Sequence, residues 1–341
     1  MKGVIMAGGR GTRLMPLTLS RPKPMVPVLS RPVIDYVKDA MVAAGLEEII
    51  VTTGHKGELL ISHVNSWNSN EITSRVNQEQ TAMGTAGSVR LLSEELQSTF
   101  VVGSGDSVAS FDIGDLIKTH QRTGAKVTMA LWEVENPSEF GIVGLSSENK
   151  GEIESSLTEG FISRFKEKPA PDEAFSNLVN AGLYIIEPEV MELVPKGEKY
   201  DFSKQLFPDI LARGWPMYAK TINGIWFDVG HPFELHKAQM ALVENRDRLP
   251  FPMPKGEILE DGSFIAASAV VSGHVERSIV LEGSSVTGAV VDSVIMSNSQ
   301  VSGVSERSIV GSNSRIDSRI HDCVIGDNQH IEIDIEHECR P

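Results

Sequence analysis

The sequence predicts an α/β region built on a mainly parallel sheet with helices on both faces, followed by a β-solenoid. Three observations predict it. Up to about Leu249, short apolar runs alternate with amphipathic stretches. Pro250, Pro252 and Pro254 then alternate in a short linker. Beyond the linker helical periodicity stops and a 15-residue repeat begins. These features divide the chain into residues 1–248, a linker at 249–258, and residues 259–341.

Residues 3–6 read as the first strand. Residues 32–44 read as a helix, because Val33, Val37, Ala40, Met41 and Ala44 share one face and Gly45 suits the residue after its end. The β-branched run at 48–53 is a second strand. Residues 84–96 read as a helix, 99–102 as a strand, 113–123 as a helix and 126–132 as a strand. Parallel sheets of this kind bind ligands in loops after strand ends, which here follow Met6, Thr53 and Val102.

In the repeat, Ser263, Ser278, Ser293, Ser308 and Cys323 each precede two apolar residues. Eight positions after each comes Val271, Val286, Val301, Ile316 or Ile331. In-register copies rich in β-branched residues, serine and glycine are the pattern of a solenoid whose coils bury one another. Cys323 occupies the small-residue position, so its expected role is packing.

Composition bounds the function. With 40% hydrophobic and 23% charged residues, the 341-residue chain is neither disordered nor fibrous. A net charge of −15 disfavours nucleic acid and anionic membranes as partners. Residues 1–34 nevertheless contain no acid and carry Lys2, Arg10, Arg13, Arg21, Lys23 and Arg31. A purely basic segment in an acidic protein points to a local anion site. The two cysteines, the short first apolar run and the lack of any run near 18 apolar residues lead to the expectation of a soluble cytoplasmic protein.

The strongest local signal is Ala7-Gly8-Gly9-Arg10-Gly11-Thr12-Arg13-Leu14, directly after the first strand. Its glycines let backbone N–H groups approach an anion, while Arg13 can fork onto phosphate oxygens and Lys23 can add a point charge. The spacing is neither that of a P-loop nor that of a dinucleotide fingerprint.

With Pro16-Leu17-Thr18 and Pro22-Lys23-Pro24-Met25, this loop resembles the signature of sugar-1-phosphate nucleotidyltransferases. Further matches follow in that family's order: Gly84-Thr85-Ala86-Gly87, Gly105-Asp106, Phe140-Gly141, Phe165-Lys166-Glu167-Lys168-Pro169, Asn180-Ala181-Gly182 and Trp226-Phe227-Asp228-Val229-Gly230. The resemblance implies a Rossmann-like domain with a C-terminal left-handed β-helix. It implies condensation of a nucleoside triphosphate with a sugar 1-phosphate, most like the mannose-1-phosphate guanylyltransferases, with thymidylyl- and uridylyltransferases of glucose 1-phosphate as the alternative.

It also implies roles. The triphosphate falls to the backbone of Gly8, Gly9, Gly11 and Thr12 and to Arg13, with Lys23 near the reacting phosphates. The base falls to Gln80 and Gly84, with Thr85 shaping that pocket. Asp106 and Asp228 would hold Mg²⁺. Lys168 would bind the sugar phosphate, Glu167 the sugar hydroxyls, and Gly141 and Asn180 the sugar ring. Taken alone, Asp106 is an ordinary turn residue, Glu167 and Lys168 are solvated charges, Asn180 satisfies a turn and Asp228 is a strand-end acid. His231 and His236 read as structural.

The sequence departs from the family pattern at Ser104, at Ala82-Met83 and at His231, which touch substrate choice more than reaction type. Homo-oligomerisation through the solenoid is expected. Two other readings are a non-catalytic paralogue, against which Arg13, Lys23, Asp106, Lys168 and Asp228 are all present, and an acyltransferase solenoid using His274, His321 or His330.

Overall fold

The computed structural model describes residues 1–54, 57–249 and 251–341. Pro250 of the linker lies outside the described residues. By packing, the chain forms two compact units, Met1–Gly8 with Val37–Gly105 and Phe111–Trp226, and Gly9–Tyr36 with Asp106–Ser110 and Phe227–Pro341. This partition cuts across the linear division at 249–258, because the basic segment and residues 227–248 pack with the repeat.

The first unit holds a nine-stranded sheet. Its strands are Lys2–Met6 (β1), Glu48–Thr53 (β2), Thr73–Gln78 (β3), Phe100–Ser104 (β4), Val127–Glu133 (β5), Gly141–Ser146 (β6), Glu159–Glu167 (β7), Leu178–Ile186 (β8) and Met217–Thr221 (β9). Their order is β3-β2-β1-β4-β8-β5-β9-β7-β6. Strands β3, β2, β1 and β4 are parallel, as are β5 and β9. In contrast, β8 runs antiparallel to β4 and β5, and β7 runs antiparallel to β9 and β6. The expectation of a mainly parallel sheet is therefore corrected to a mixed one. A parallel return needs a crossover of a dozen or more residues, usually helical, and the segments joining β5 to β6 and β6 to β7 contain no helix.

The core of this unit joins Val4, Ile50, Phe100 and Val102 of the parallel run with Met129, Leu131, Val143, Ile162, Tyr184, Phe202 and Phe207. Each is 3% exposed or less, the burial that makes the hydrophobic effect the main stabilising term.

The expected helices are present, with altered ends. Ile34–Ala43 is α1, and Gly45 behind it takes φ +80°, the left-handed conformation that closes a helix. Ile113–Thr123 forms a helix capped by Asp112, whose carboxylate accepts from the Asp115 N–H at 3.0 Å. The helix expected over 84–96 ends at Arg90, and turns carry the chain on through Leu92 and Leu96. Ser93 stops it: its hydroxyl donates to the Arg90 carbonyl at 2.7 Å and accepts from the Arg90 guanidinium.

In the second unit the chain beyond residue 255 visits three ladders in turn. One contains Phe264–Ala266, Ile279–Val280, Val294–Ile295, Ile309–Val310, Val324–Ile325 and Cys339–Arg340. Every parallel pair is offset by the repeat length, as in Ile279↔Val294↔Ile309↔Val324. This arrangement is consistent with a β-helix. Val286, Val301, Ile316, Ile320 and Cys323 are buried in its interior, so Cys323 packs as expected. Gly283, Asn298, Asn313 and Asn328 share one corner with φ between 59° and 68°, a conformation that glycine and asparagine adopt at low cost. The helix Pro232–Glu244 belongs to this unit, where the His236 ring donates to the Arg277 carbonyl at 2.8 Å and Gln239 accepts from the Leu29 N–H at 2.9 Å. Among the described residues, no helix is long and apolar enough to cross a membrane.

Candidate active site

After β1 the chain enters the glycine loop, where Gly8, Gly9, Thr12 and Arg13 are exposed. Gly11 takes φ +63° and starts a 3₁₀ turn over Thr12–Leu14. Its carbonyl accepts from the Thr18 hydroxyl at 2.8 Å. A Cβ at Gly11 would lie 2.9 Å from Thr18 and 3.0 Å from Lys23, so glycine is required both by conformation and by close approach.

Lys23 lies in a second 3₁₀ turn between Pro22 and Pro24 and is only 7% exposed. Its ammonium donates to Asp106 Oδ2 at 2.5 Å and lies 3.4 Å from Asp228 Oδ1. Arg13 Nη2 is 3.9 Å from Asp228 Oδ2. Asp106 follows β4 by two residues, and Asp228 ends the short strand Trp226–Asp228, which pairs with Ser107–Ala109. Val229 N–H donates to the Asp106 carbonyl at 3.1 Å, which fixes the two acids side by side. A Cβ on Gly230 would come within 3.0 Å of Arg13 and 3.1 Å of Asp228, so the glycine that ends the Trp226-to-Gly230 motif makes room for this pair.

The charges pull on one another. Burial pulls the Lys23 ammonium down, but Asp106 and Asp228 outweigh it and hold the group above its ordinary value. Burial pushes the Asp228 carboxyl up, Asp106 adds to this, and Lys23 and Arg13 only partly offset it. Two acids thus converge on one buried cation and still repel each other. Such a pair of hard oxygen donors fits Mg²⁺, which takes one or two carboxylates and fills its remaining positions with water and phosphate oxygens.

The remaining predicted residues belong to the first unit. Gly84 takes φ +74°, and a Cβ there would meet the Tyr200 carbonyl at 2.6 Å. The Tyr200 carbonyl accepts from the Ala86 and Gly87 N–H groups at 2.9 Å, and Asp201 accepts from the Thr85 N–H at 3.2 Å. Glu79, buried beside the exposed Gln80, accepts from the Met83 N–H at 3.0 Å and from the Ser88 hydroxyl. The segment around Gly84 is therefore pinned by a carboxylate on each side.

Gly141 and Glu167 face each other across the β6–β7 pair. A Cβ at Gly141 would lie 2.8 Å from Glu167 Oε2. Burial raises the Glu167 carboxyl above its usual range against the pull of Lys168, Lys204 and a Ser203 hydrogen bond. Lys168 is exposed, has φ +46°, and is held by its N–H on the Phe140 carbonyl at 2.9 Å. Asn180 caps the turn at Gly182, its carbonyl oxygen accepting from the Gly182 N–H at 2.9 Å, and donates to the Tyr184 hydroxyl at 2.9 Å and to Ser203 at 3.4 Å. It therefore satisfies the turn, as expected, with both ends of its amide engaged.

Sequence reasoning missed Asp201, Ser203 and Glu79. Asp201 meets Thr85 from 116 residues away, and nothing local marks it. The unassigned basic residues also find partners: Lys2 pairs with Glu48 at 2.9 Å, Arg31 lies over the rings of Tyr36 and Phe251, and Arg21 pairs with Asp327. His236 is structural, as expected, and burial lowers its pKa. His274, His321 and His330 sit on the surface against Glu276, Glu336 and Asp317.

The second unit thus brings two cations and two convergent carboxylates together beside the glycine loop, and the first unit holds a polar cluster of its own around Glu167 and Asn180. The nucleotidyl transferase family profile matches residues 2–245, and the chain belongs to that family. A UTP–glucose-1-phosphate uridylyltransferase of Synechocystis is 33% identical over 246 residues, covering 67% of this chain and 60% of that protein. A mannose-1-phosphate guanyltransferase of Eremothecium gossypii is 32% identical over 280 residues, covering 80% and 73%. Among solved structures, a Bacillus anthracis protein assigned as a glucose-1-phosphate thymidylyltransferase, in complex with a sucrose, aligns with a TM-score of 0.61 and 25% identity, covering 71% of this chain and 94% of that one. The chain thus spans about three fifths of the cyanobacterial relative's length.

Proposed function

We propose that this chain is a Mg²⁺-dependent nucleotidyltransferase that joins a nucleoside triphosphate to a sugar 1-phosphate and releases pyrophosphate, with GTP and mannose 1-phosphate as its preferred pair. The observation that carries the reading is the convergence of Asp106 and Asp228 on Lys23, with Arg13 beside them.

The sugar phosphate is already an anionic nucleophile near neutral pH, since the second pKa of a phosphate monoester is about 6. No protein base is needed. The difficulty is holding two anions in line and stabilising the charge that builds on the α-phosphate and the leaving pyrophosphate. Asp106 and Asp228 would hold Mg²⁺, which when bound would supply part of that charge neutralisation. Lys23 faces the reacting phosphates, and Arg13 with the N–H groups of Gly8, Gly9, Gly11 and Thr12 takes the outer phosphates. Gln80, Gly84 and Thr85 form the base pocket. Lys168 binds the sugar phosphate, while Glu167, Asn180 and the Gly141 backbone orient the sugar.

The name of the Eremothecium relative supports GTP and mannose 1-phosphate, and the names of the Synechocystis and Bacillus proteins support a second reading, glucose 1-phosphate with UTP or dTTP. Pyrophosphate release across a panel of triphosphates and sugar 1-phosphates decides between them. Fastest release from GTP with mannose 1-phosphate is expected, and no release from any pair by folded protein overturns the enzyme reading.

The repeat is read as a left-handed β-helix through which copies of the chain associate, testable by light scattering. Unpaired Cys323 and Cys339 suit a cytoplasmic setting.

A further inference from the structure

Arg21 stands two residues before Lys23, joined to it through Pro22, whose ring fixes the backbone at φ −67°. Its guanidinium does not face the acids around Lys23. Nη2 donates instead to Asp327 Oδ2 and to the Ser312 hydroxyl at 3.3 Å, and the Ser20 hydroxyl donates to the same Asp327 oxygen. Asp327 Oδ1 accepts from the Ser312 N–H at 2.7 Å, so both of its oxygens are engaged. The Asp327 side chain is 6% exposed and that of Arg21 19%.

Within the repeat Asp327 meets the Ser312 N–H, yet an acid is not a constant of this position. Its equivalents one, two and three repeats earlier are Ser312, Ser297 and Glu282. The neighbouring position is also small where the loop arrives. Gly326 and Gly311 replace the Met296 and Leu281 of earlier copies, and a Cβ at Gly326 would lie 3.0 Å from the Pro341 backbone and 3.3 Å from Pro16, so both the next coil and the arriving loop approach it. The buried acid Asp327 thus receives Ser20 and Arg21, with Pro16 close by at Gly326.

We infer that Asp327, acting through Arg21, is a positioning residue for the reaction: the repeat region holds the loop where Lys23 reaches Asp106 and Asp228. This rests on the proposed role of Lys23 at the reacting phosphates. Groups held in place before substrate arrives contribute to rate, and displacement by about 1 Å can cost roughly a hundredfold.

The test measures pyrophosphate release by the full chain, using the substrate pair that gives the fastest rate. Asp327→Ala is expected to lower kcat by about tenfold or more while leaving KM for the sugar phosphate within about twofold, because the sugar-side residues lie on other elements. Asp327→Asn keeps an acceptor for Arg21 and should recover part of the rate. Arg21→Ala should match Asp327→Ala, and the double variant should lose little more than either. Should Asp327→Ala not fold, Arg21→Ala leaves the repeat untouched and carries the same comparison. Normal kcat in both variants with only a lower melting temperature overturns the inference, since the contact is then structural alone. Lys23→Ala separates the two levels. Full turnover by that variant removes the reading of Lys23 itself, whereas an inactive Lys23→Ala beside fully active Asp327 and Arg21 variants removes only the positioning role.

Discussion

The cluster at Lys23 and the serine ladder of the repeat both bury polar side chains in the same compact unit, and they satisfy them in opposite ways. In the ladder each hydroxyl oxygen accepts from the backbone N–H one repeat later: Ser263 from Ser278, Ser278 from Ser293, Ser293 from Ser308 and Ser308 from Cys323, each at 3.0 Å. Every member is 0% exposed, neutral and matched. At Lys23 the groups are charged, with two acids converging on one buried ammonium and the second cation, Arg13, partly exposed at the margin. A closed ladder stabilises a fold. Buried charges that shift one another's pKa values are the pattern of a candidate ligand site.

The difference can be broken most severely at Lys23. Lys23→Met should reduce turnover by roughly a hundredfold to a thousandfold, since a preorganised charge facing the developing anion is lost. Its stability should also acquire a new pH dependence. Asp228 is already held above its ordinary pKa, mainly by burial and then by Asp106, and removing the ammonium raises it further. An acid with a raised folded pKa stabilises the fold below its unfolded pKa and loses that contribution as pH rises through the folded one. Melting curves of Lys23→Met should therefore fall relative to wild type as the pH climbs above the usual carboxylate range. A constant offset between the two would show that Asp228 does not sense the Lys23 charge.

The ladder should respond in stability alone. Ser293→Ala leaves the buried Ser308 N–H without its acceptor, a cost of about 1–3 kcal/mol, or roughly 2–4 °C in Tm per kcal/mol for a domain of this size. Pyrophosphate release should stay normal at temperatures where the variant is folded. A marked fall in kcat would mean the repeat governs the chemistry through more than the Arg21–Asp327 contact.

The smallest effect concerns His236, whose ring donates to the Arg277 carbonyl and whose pKa burial lowers. Its neutral form stabilises the fold at neutral pH, and this contribution fades as pH falls below the ordinary histidine value. His236→Gln keeps a donor without the charge, so its Tm should decline less than that of wild type between pH 7 and pH 5. Parallel profiles would assign the acid sensitivity elsewhere.

How much the sequence revealed follows from where each residue's partner lies. In the repeat the partner is always one period away and of similar type, so Ile279, Val294, Ile309 and Val324 announce their own ladder. Strands β1, β2 and β4 were legible for a related reason, since strand and helix alternate along the chain, whereas β3, with its polar run Thr73-Ser74-Arg75-Val76-Asn77-Gln78, carried no apolar pattern and was not read. Strand β8 was not. It enters between β4 and β5 as an antiparallel strand, and no periodicity states which neighbours a buried apolar run will choose. The helix expected to reach Leu96 shows the same limit, for Leu92 and Leu96 keep the spacing of a helix and are buried without one.

At the site, Asp106 and Asp228 were visible only through motif order, because each alone is a commonplace turn or strand-end acid. Their distance to Lys23 is what distinguishes them. Asp201, Glu79 and Asp327 carried no signal, since each works by holding another residue in place.

The most direct test of the central claim, that Asp106 and Asp228 beside Lys23 form a nucleotidyl-transfer centre, is steady-state pyrophosphate release by Asp106→Asn from GTP and mannose 1-phosphate in Mg²⁺. Wild-type protein should release pyrophosphate. The variant, nearly isosteric and assayed where its melting curve shows it folded, should be slower by about two to three orders of magnitude. Release at close to the wild-type rate would contradict a role for Asp106 in holding the metal and the reacting phosphates.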